Sequence, residues 1–149
     1  MRAETSRNGR TIVGRLERGD KLPDALLAVA EKHGVRAARV EAIGGVTDLQ
    51  VTEFDLEKGA YKPPLRRAGM TEVLHLAGNL SLRDGELFGH LHISACWHEN
   101  GATNMIAGHL VSAEVFVCEF HLTVYDDLNL VREVEPKTGL ALWNIPDKE

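Results

Sequence analysis

The chain has 149 residues, 44% hydrophobic and 26% charged, with a formal net charge of −5 at pH 7. That length suits one domain with a real core. The acidic balance argues against a broad grip on a phosphate backbone, which needs a basic surface. No apolar run approaches the ~18 residues of a membrane span, and Met1 to Arg10 has no apolar signal core, so a cytoplasmic protein without a membrane partner is expected.

Residues 1–9 are expected to form a flexible N-terminal arm. Arg10 to Glu17 alternates and predicts a first strand. Lys21 to His33 carries Leu22, Leu26, Leu27, Val29 and Ala30 at helical spacing, with Asp20 as N-cap, Pro23 in the first turn and Gly34 as the left-handed stop. A second strand runs from Val35 to Val46, where Gly44-Gly45 predicts a bulge, a tight bend or a close backbone approach. Another is expected from Thr47 to Leu56, followed by a turn at Glu57-Lys58-Gly59 and an extended segment around Pro63-Pro64. Lys58, Lys62, Arg66 and Arg67 read as a solvated loop rather than a nucleic-acid patch.

Thr71 to Leu82 predicts a strand with Leu74, Leu76, Leu80 and Leu82 on one face and His75, Ala77, Asn79 and Ser81 on the other. Ala113 to Tyr125 is the longest strand candidate, with Phe116, Cys118, Phe120 and Leu122 facing one way and Val115, Glu119 and His121 the other. Leu130 to Glu135 closes the domain, and residues 136–149 form a tail. Cys96 and Cys118 form no CxxC and read as reduced core or interface residues rather than a disulfide. The expected fold is α+β: one compact domain over 10–135, with a mostly antiparallel sheet of about seven or eight strands and one main helix packed on it. Apolar residues on both faces of the 89–111 region suggest that a second subunit covers one of them.

Two tight turns organise the histidines. Asn100-Gly101 between strand-like runs is a strong hairpin signal. With a two-residue loop, counting back sets His92 opposite His109, and His90 shares their face. Three neutral imidazoles converging with an open position suit zinc or another divalent transition metal; the plainer alternative is three locally hydrogen-bonded polar residues. The assignment hangs on the loop length, since a slip of one residue turns His109 to the other face. Asp84-Gly85 is a second hairpin signal, setting Ala77 opposite His92 and Asn79 opposite His90. That brings His75 to the histidine face, as a fourth ligand, a supporting partner or, more simply, a subunit-contact residue. Glu119 and His121 are acid–base candidates, with a surface ion pair as the alternative.

In Arg15-Leu16-Glu17-Arg18-Gly19-Asp20, Ala42-Ile43-Gly44-Gly45-Val46 and Glu72-Val73-Leu74-His75-Leu76-Ala77-Gly78-Asn79, and most specifically in Gly89-His90-Leu91-His92 followed by Gly108-His109-Leu110, the chain resembles the plants and prokaryotes conserved (PPC) domain. Glu119 adds to the match. Ala107 stands where a glycine is usual and His75 where serine is common, and neither removes a ligand. The resemblance implies a homotrimer with His90, His92 and His109 as a metal site. Members commonly carry a DNA-binding description because plant relatives join the domain to an AT-hook; no Arg-Gly-Arg-Pro hook occurs here. The fold is also similar to acetolactate decarboxylase, which makes a metal-dependent lyase or hydrolase the enzymatic expectation, although fold alone does not carry function.

The leading expectation is a trimeric metal protein that binds or acts on a small anionic molecule. Glu119 or Glu72 would serve as base, and Arg15 or Arg39 as carboxylate clamp. The alternative is a DNA-associated or regulatory scaffold without catalysis, or a trimer whose histidines only tie its interface together.

Overall fold

The computed structural model of the chain describes residues 2–5 and 10–145. Its strands are β1 (Arg2–Thr5), β2 (Thr11–Leu16), β3 (Lys21–Leu22), β4 (Ala38–Thr52), β5 (Phe54–Asp55), β6 (Ala60–Tyr61), β7 (Leu65–Arg67), β8 (Thr71–Arg83), β9 (Glu86–Glu99), β10 (Ala102–Val124), β11 (Val131–Val134) and β12 (Ala141–Trp143). One helix, α1 (Asp24–Lys32), lies between β3 and β4. Ten strands form one sheet, and β5 with β6 forms a separate two-stranded ribbon.

The sheet closes on itself through its longest strand. The first part of β10 pairs with β9, and from His109 onward β10 pairs with β4. β4 pairs with β8, and β8 with β9. These four strands therefore leave few free edges for unwanted pairing. All four contacts are antiparallel, while β11 joins β8 in parallel, so the sheet is mixed, though mostly antiparallel as expected. It has more strands than the seven or eight expected because the short strands β1, β3, β7 and β12 extend it.

The core forms where inward positions of the strands meet α1. Val40, Leu76, Leu80, Leu91, Phe120 and Leu122 pack with Leu26, Val29 and Ala30 of the helix. The helix is shorter than its apolar stripe suggested. Its N-cap is Pro23, without a side-chain cap. Asp20 instead accepts the Glu17 backbone N–H, and Lys21 and Leu22 pair with β10. Gly34 takes the left-handed conformation expected of a helix stop, at φ +64°.

Bulges account for the other differences. Gly44-Gly45 interrupts the register of β4 without ending it, so the expected strands 35–46 and 47–56 are one strand, Ala38–Thr52. A Cβ on Gly44 would lie 2.2 Å from the Val117 carbonyl oxygen. The close approach expected there is made by a neighbouring strand. A bulge between Val73 and His75 turns Leu74 outward, where it is 50% exposed, away from buried Leu76, Leu80 and Leu82. Another between Val115 and Val117 buries Val115 and exposes Phe116, reversing their expected faces. Both cysteines are buried and free.

Arg2–Thr5 of the expected arm pairs with β2; the rest of that arm lies outside the described residues. In the expected tail, Ala141–Trp143 pairs with β11, and residues 146–149 lie outside the described residues.

Candidate metal centre

Both turn-derived registers hold. His92 pairs with His109 across the Asn100-Gly101 turn. Asn79 pairs with His90, and Ala77 with His92, across the Asp84-Gly85 turn. Asn100 and Asp84 take φ +52° and +53°, and each is followed by a glycine of positive φ, the conformation a two-residue hairpin turn requires. Tight turns thus fix the register, and the register brings the imidazoles together.

The three rings form a triangle. Centroids are 5.2 Å apart for His90–His92, 5.2 Å for His90–His109 and 5.4 Å for His92–His109. One ligand atom from each lies within 4.8 Å of the others. His90 Nε2 is 3.2 Å from His92 Nε2. His109 Nδ1 is buried with no hydrogen-bond partner. A buried polar atom without a partner is costly, and this one belongs to a set of donors that suits a divalent transition metal. Chemically, the residues fit such an ion.

The electrostatics favour free lone pairs. Burial, aided by the Arg132 charge and the neighbouring histidines, pushes His90 down to about 4. Burial, with His92 and then Arg132, lowers His109 as well. Neutral rings can ligate without first losing a charge.

Arg132 of β11 is the site residue that the sequence reading missed. It is 6% exposed. Its Nε donates to Ser81 Oγ at 3.0 Å, Nη1 to the Ala141 carbonyl at 2.8 Å and Nη2 to Asn79 Oδ1 at 2.7 Å. Trp143 also donates to Ser81 Oγ, at 3.1 Å. The guanidinium lies 5.5 Å from the Phe88 ring centre and 5.6 Å from that of Trp143. The signal available was the pair Asn79 and Ser81, two polar residues beside buried Leu80 and Leu82, which need a donor opposite.

Beside the triangle is a cleft of about 420 Å³. His90 and His109 line it, with Phe54 and Tyr61 from the β5–β6 ribbon, Phe88 from β9, Gly139 and Leu140 from the β11–β12 connection, and Ala141 and Leu142 from β12. The Tyr61 ring centre is 5.1 Å from that of His109.

The remaining candidates lie elsewhere. Glu119, His121 and His75 line a different cleft with Glu41 and Ile43. His75 is no fourth ligand: the ligand cluster holds only His90, His92 and His109 among the described residues. It pairs with Ser94, one pair beyond Leu76–Ile93 on the side of His92 away from His90. Glu72 pairs with Cys96, beyond the far end of the histidine ladder. Neither Glu72 nor Glu119 lines the metal-side cleft. Arg15 and Arg39 are engaged with Glu17 at 3.2 Å and Glu41 at 2.7 Å. The expected clamp arginines are therefore absent from the cleft, which Arg83 and Arg132 line instead.

The model of the Plants and Prokaryotes Conserved (PCC) domain matches residues 3–126. The chain belongs to this family. A plant- and prokaryote-conserved protein of Pyrococcus horikoshii is 35% identical over 94% of both chains, with a TM-score of 0.83. A metal-containing protein from Archaeoglobus fulgidus is 31% identical over 95% of this PCC-domain chain and 96% of its own, with the same TM-score of 0.83. A protein from Bacteroides thetaiotaomicron, named as a candidate DNA-binding protein, is 23% identical over 95% and 96%, with a TM-score of 0.81. At that identity the likeness shows the fold alone. No curated protein matches the chain significantly. Among the described residues, no helix is long and apolar enough to cross a membrane.

Proposed function

We propose that this PCC-domain protein is a homotrimer in which His90, His92 and His109 hold a divalent transition metal, zinc in the first instance, and that the site binds or acts on a small anionic molecule. The observation that carries the reading is the triangle itself: three imidazoles with ligand atoms within 4.8 Å of one another, two of them held neutral by burial. The metal-containing relative from Archaeoglobus fulgidus supports it. A bound ion with an open position would supply Lewis acidity toward a carbonyl or a bound water, so a metal-dependent lyase or hydrolase is the reaction class to screen. Trp143 and Ser81 support Arg132, and Arg132 in turn holds Asn79 and His90 in place.

Trimer formation draws support from the sheet face opposite α1. Val13, Ile43 and Val117 are exposed there, beside Glu119 and His121. Exposed apolar side chains on a sheet face suit a subunit contact. Glu119 and Glu72 remain candidate bases only if a neighbouring subunit brings them to a metal.

Elemental analysis of tag-free protein, with its solution mass, tests the reading. About one metal ion per chain is expected, lost in His92→Ala while the trimer mass persists. Full metal content in that variant overturns the site.

A further inference from the structure

Resting on the metal-site reading, we propose that the cleft beside the histidines takes a monocarboxylate with an apolar, ring-sized body, its carboxylate held by Arg83 at the mouth and its body between Phe88 and Tyr61. Strand parity builds the arrangement. Arg83, Ser81 and Asn79 alternate along one face of β8, opposite Glu86, Phe88 and His90 of β9. A cation, an aromatic ring and a ligand histidine thus line up along one wall.

Charge identifies the ligand's sign. The protein carries −5 overall, yet among the described residues this cleft is lined by two arginines, Arg83 and Arg132, and by no carboxylate. Both guanidinium groups lie against one ring, Phe88, at 5.4 and 5.5 Å. Two like charges converging on a partly closed cleft are relieved by an anion.

The two arginines are not equivalent. Arg132 is buried and spends its fork on Ser81, Ala141 and Asn79. Arg83 is 45% exposed, and its ion pair is with neighbouring Asp84, at 3.6 Å and itself 90% exposed. An exposed pair of that kind contributes little, so Arg83 can turn to a carboxylate and grip it in the bidentate way a guanidinium favours. Phe54, Tyr61, Phe88, Leu140 and Leu142 supply apolar walls, and a cleft of about 420 Å³ is in the range for a small organic molecule.

Isothermal titration of the full-length protein tests the proposal, using 3-phenylpropionate, neutral 3-phenylpropanol and short acetate, with metal content measured on each sample. The phenyl acid is expected to bind at least ~10-fold more tightly than either comparator, the size of one good charged contact. Arg83→Gln should erase the preference for acid over alcohol while keeping the metal. Equal affinity for acid and alcohol, equal affinity for acetate, or an unchanged preference in Arg83→Gln overturns the proposal. The two readings fail separately. A metal-loaded protein without acid preference sinks the carboxylate site alone, and acid preference in a protein that never holds metal sinks the metal reading alone.

Discussion

Arg132 Nη2 lies 3.4 Å from His90 Nδ1. The contact is long for a hydrogen bond, so its main effect is electrostatic. A fixed positive charge beside the ring opposes its protonation, and because Arg132 also binds Asn79, the residue paired with His90, it ties the ring's position to its β8 neighbour. Arg132→Ala would leave Asn79 Oδ1 and the Ala141 carbonyl without their donor, and Ser81 Oγ with Trp143 alone, in a buried setting. A loss of about 2–4 kcal/mol is expected from two or three groups left partly unsatisfied, read as a lower urea midpoint. Arg132→Lys keeps the charge but cannot reproduce the fork, so it should recover less than half of the loss. Full recovery by lysine would show that charge, not the network, sets the role.

Acid should destabilise the metal-stripped protein through the same histidines. His90 is held near 4 against an ordinary 6.5, and His109 is also lowered. Above pH 6.5 the rings are neutral in both folded and unfolded chains, so they add no pH dependence. As pH falls below 6.5, the unfolded chain takes up protons that folded His90 refuses until about 4. Stability is therefore fully present above 6.5 and declines through that window. Chemical denaturation between pH 4.5 and 7.5 should give a steeper slope for the wild-type chain than for His90→Gln. Equal slopes would remove His90 as the source.

The thiol of Cys118 should be inert in the folded state. Burial, with Glu119 beside it, pushes it up to about 11 from an ordinary 9.0. That lowers the thiolate fraction near neutral pH by about 100-fold, and the thiolate is the reactive form. In a Cys96→Ser background at pH 7.5, a disulfide reagent should titrate Cys118 at least ~100-fold more slowly in buffer than in urea. Comparable rates would mean that the β10 strand opens readily around it.

The histidine triangle was legible because its determinants are local. Asn100-Gly101 and Asp84-Gly85 demand a two-residue turn, and a two-residue turn fixes every pair behind it, as His92 with His109 and Asn79 with His90 show. What alternation could not show is where the ladder slips. The bulges beside Val73 and Val115 give no sign in a period-two pattern, so Leu74 and Phe116 are exposed where the pattern buried them. Arg132 was hidden for a different reason. It reaches the site through a parallel pairing of β11 with β8, a contact between segments far apart in sequence, and no turn announces it.

Gly78 offers the sharpest link between packing and the site. A Cβ there would stand 2.0 Å from the His90 carbonyl oxygen and 2.9 Å from Leu91 Cα. Those are backbone atoms of β9, which cannot move aside as a flexible side chain would. Gly78→Ala must therefore push β9 away from β8 at the residue that carries the first ligand. Overpacking of this kind costs about 1–3 kcal/mol, occasionally more, and displacing His90 should also weaken metal retention well over 10-fold. Gly89 is the matched comparison, adjacent to His90 in sequence, where a Cβ meets only side-chain atoms at 3.5 Å or beyond. Gly89→Ala should leave metal content intact and change stability by less than about 1 kcal/mol, because its Cβ would make ordinary van der Waals contacts with Leu80, Leu27 and Leu91. Metal content and urea midpoint measured on both variants decide the matter: loss confined to Gly78→Ala ties the ion to the β8–β9 spacing, and equal retention in both would separate the ion from that spacing.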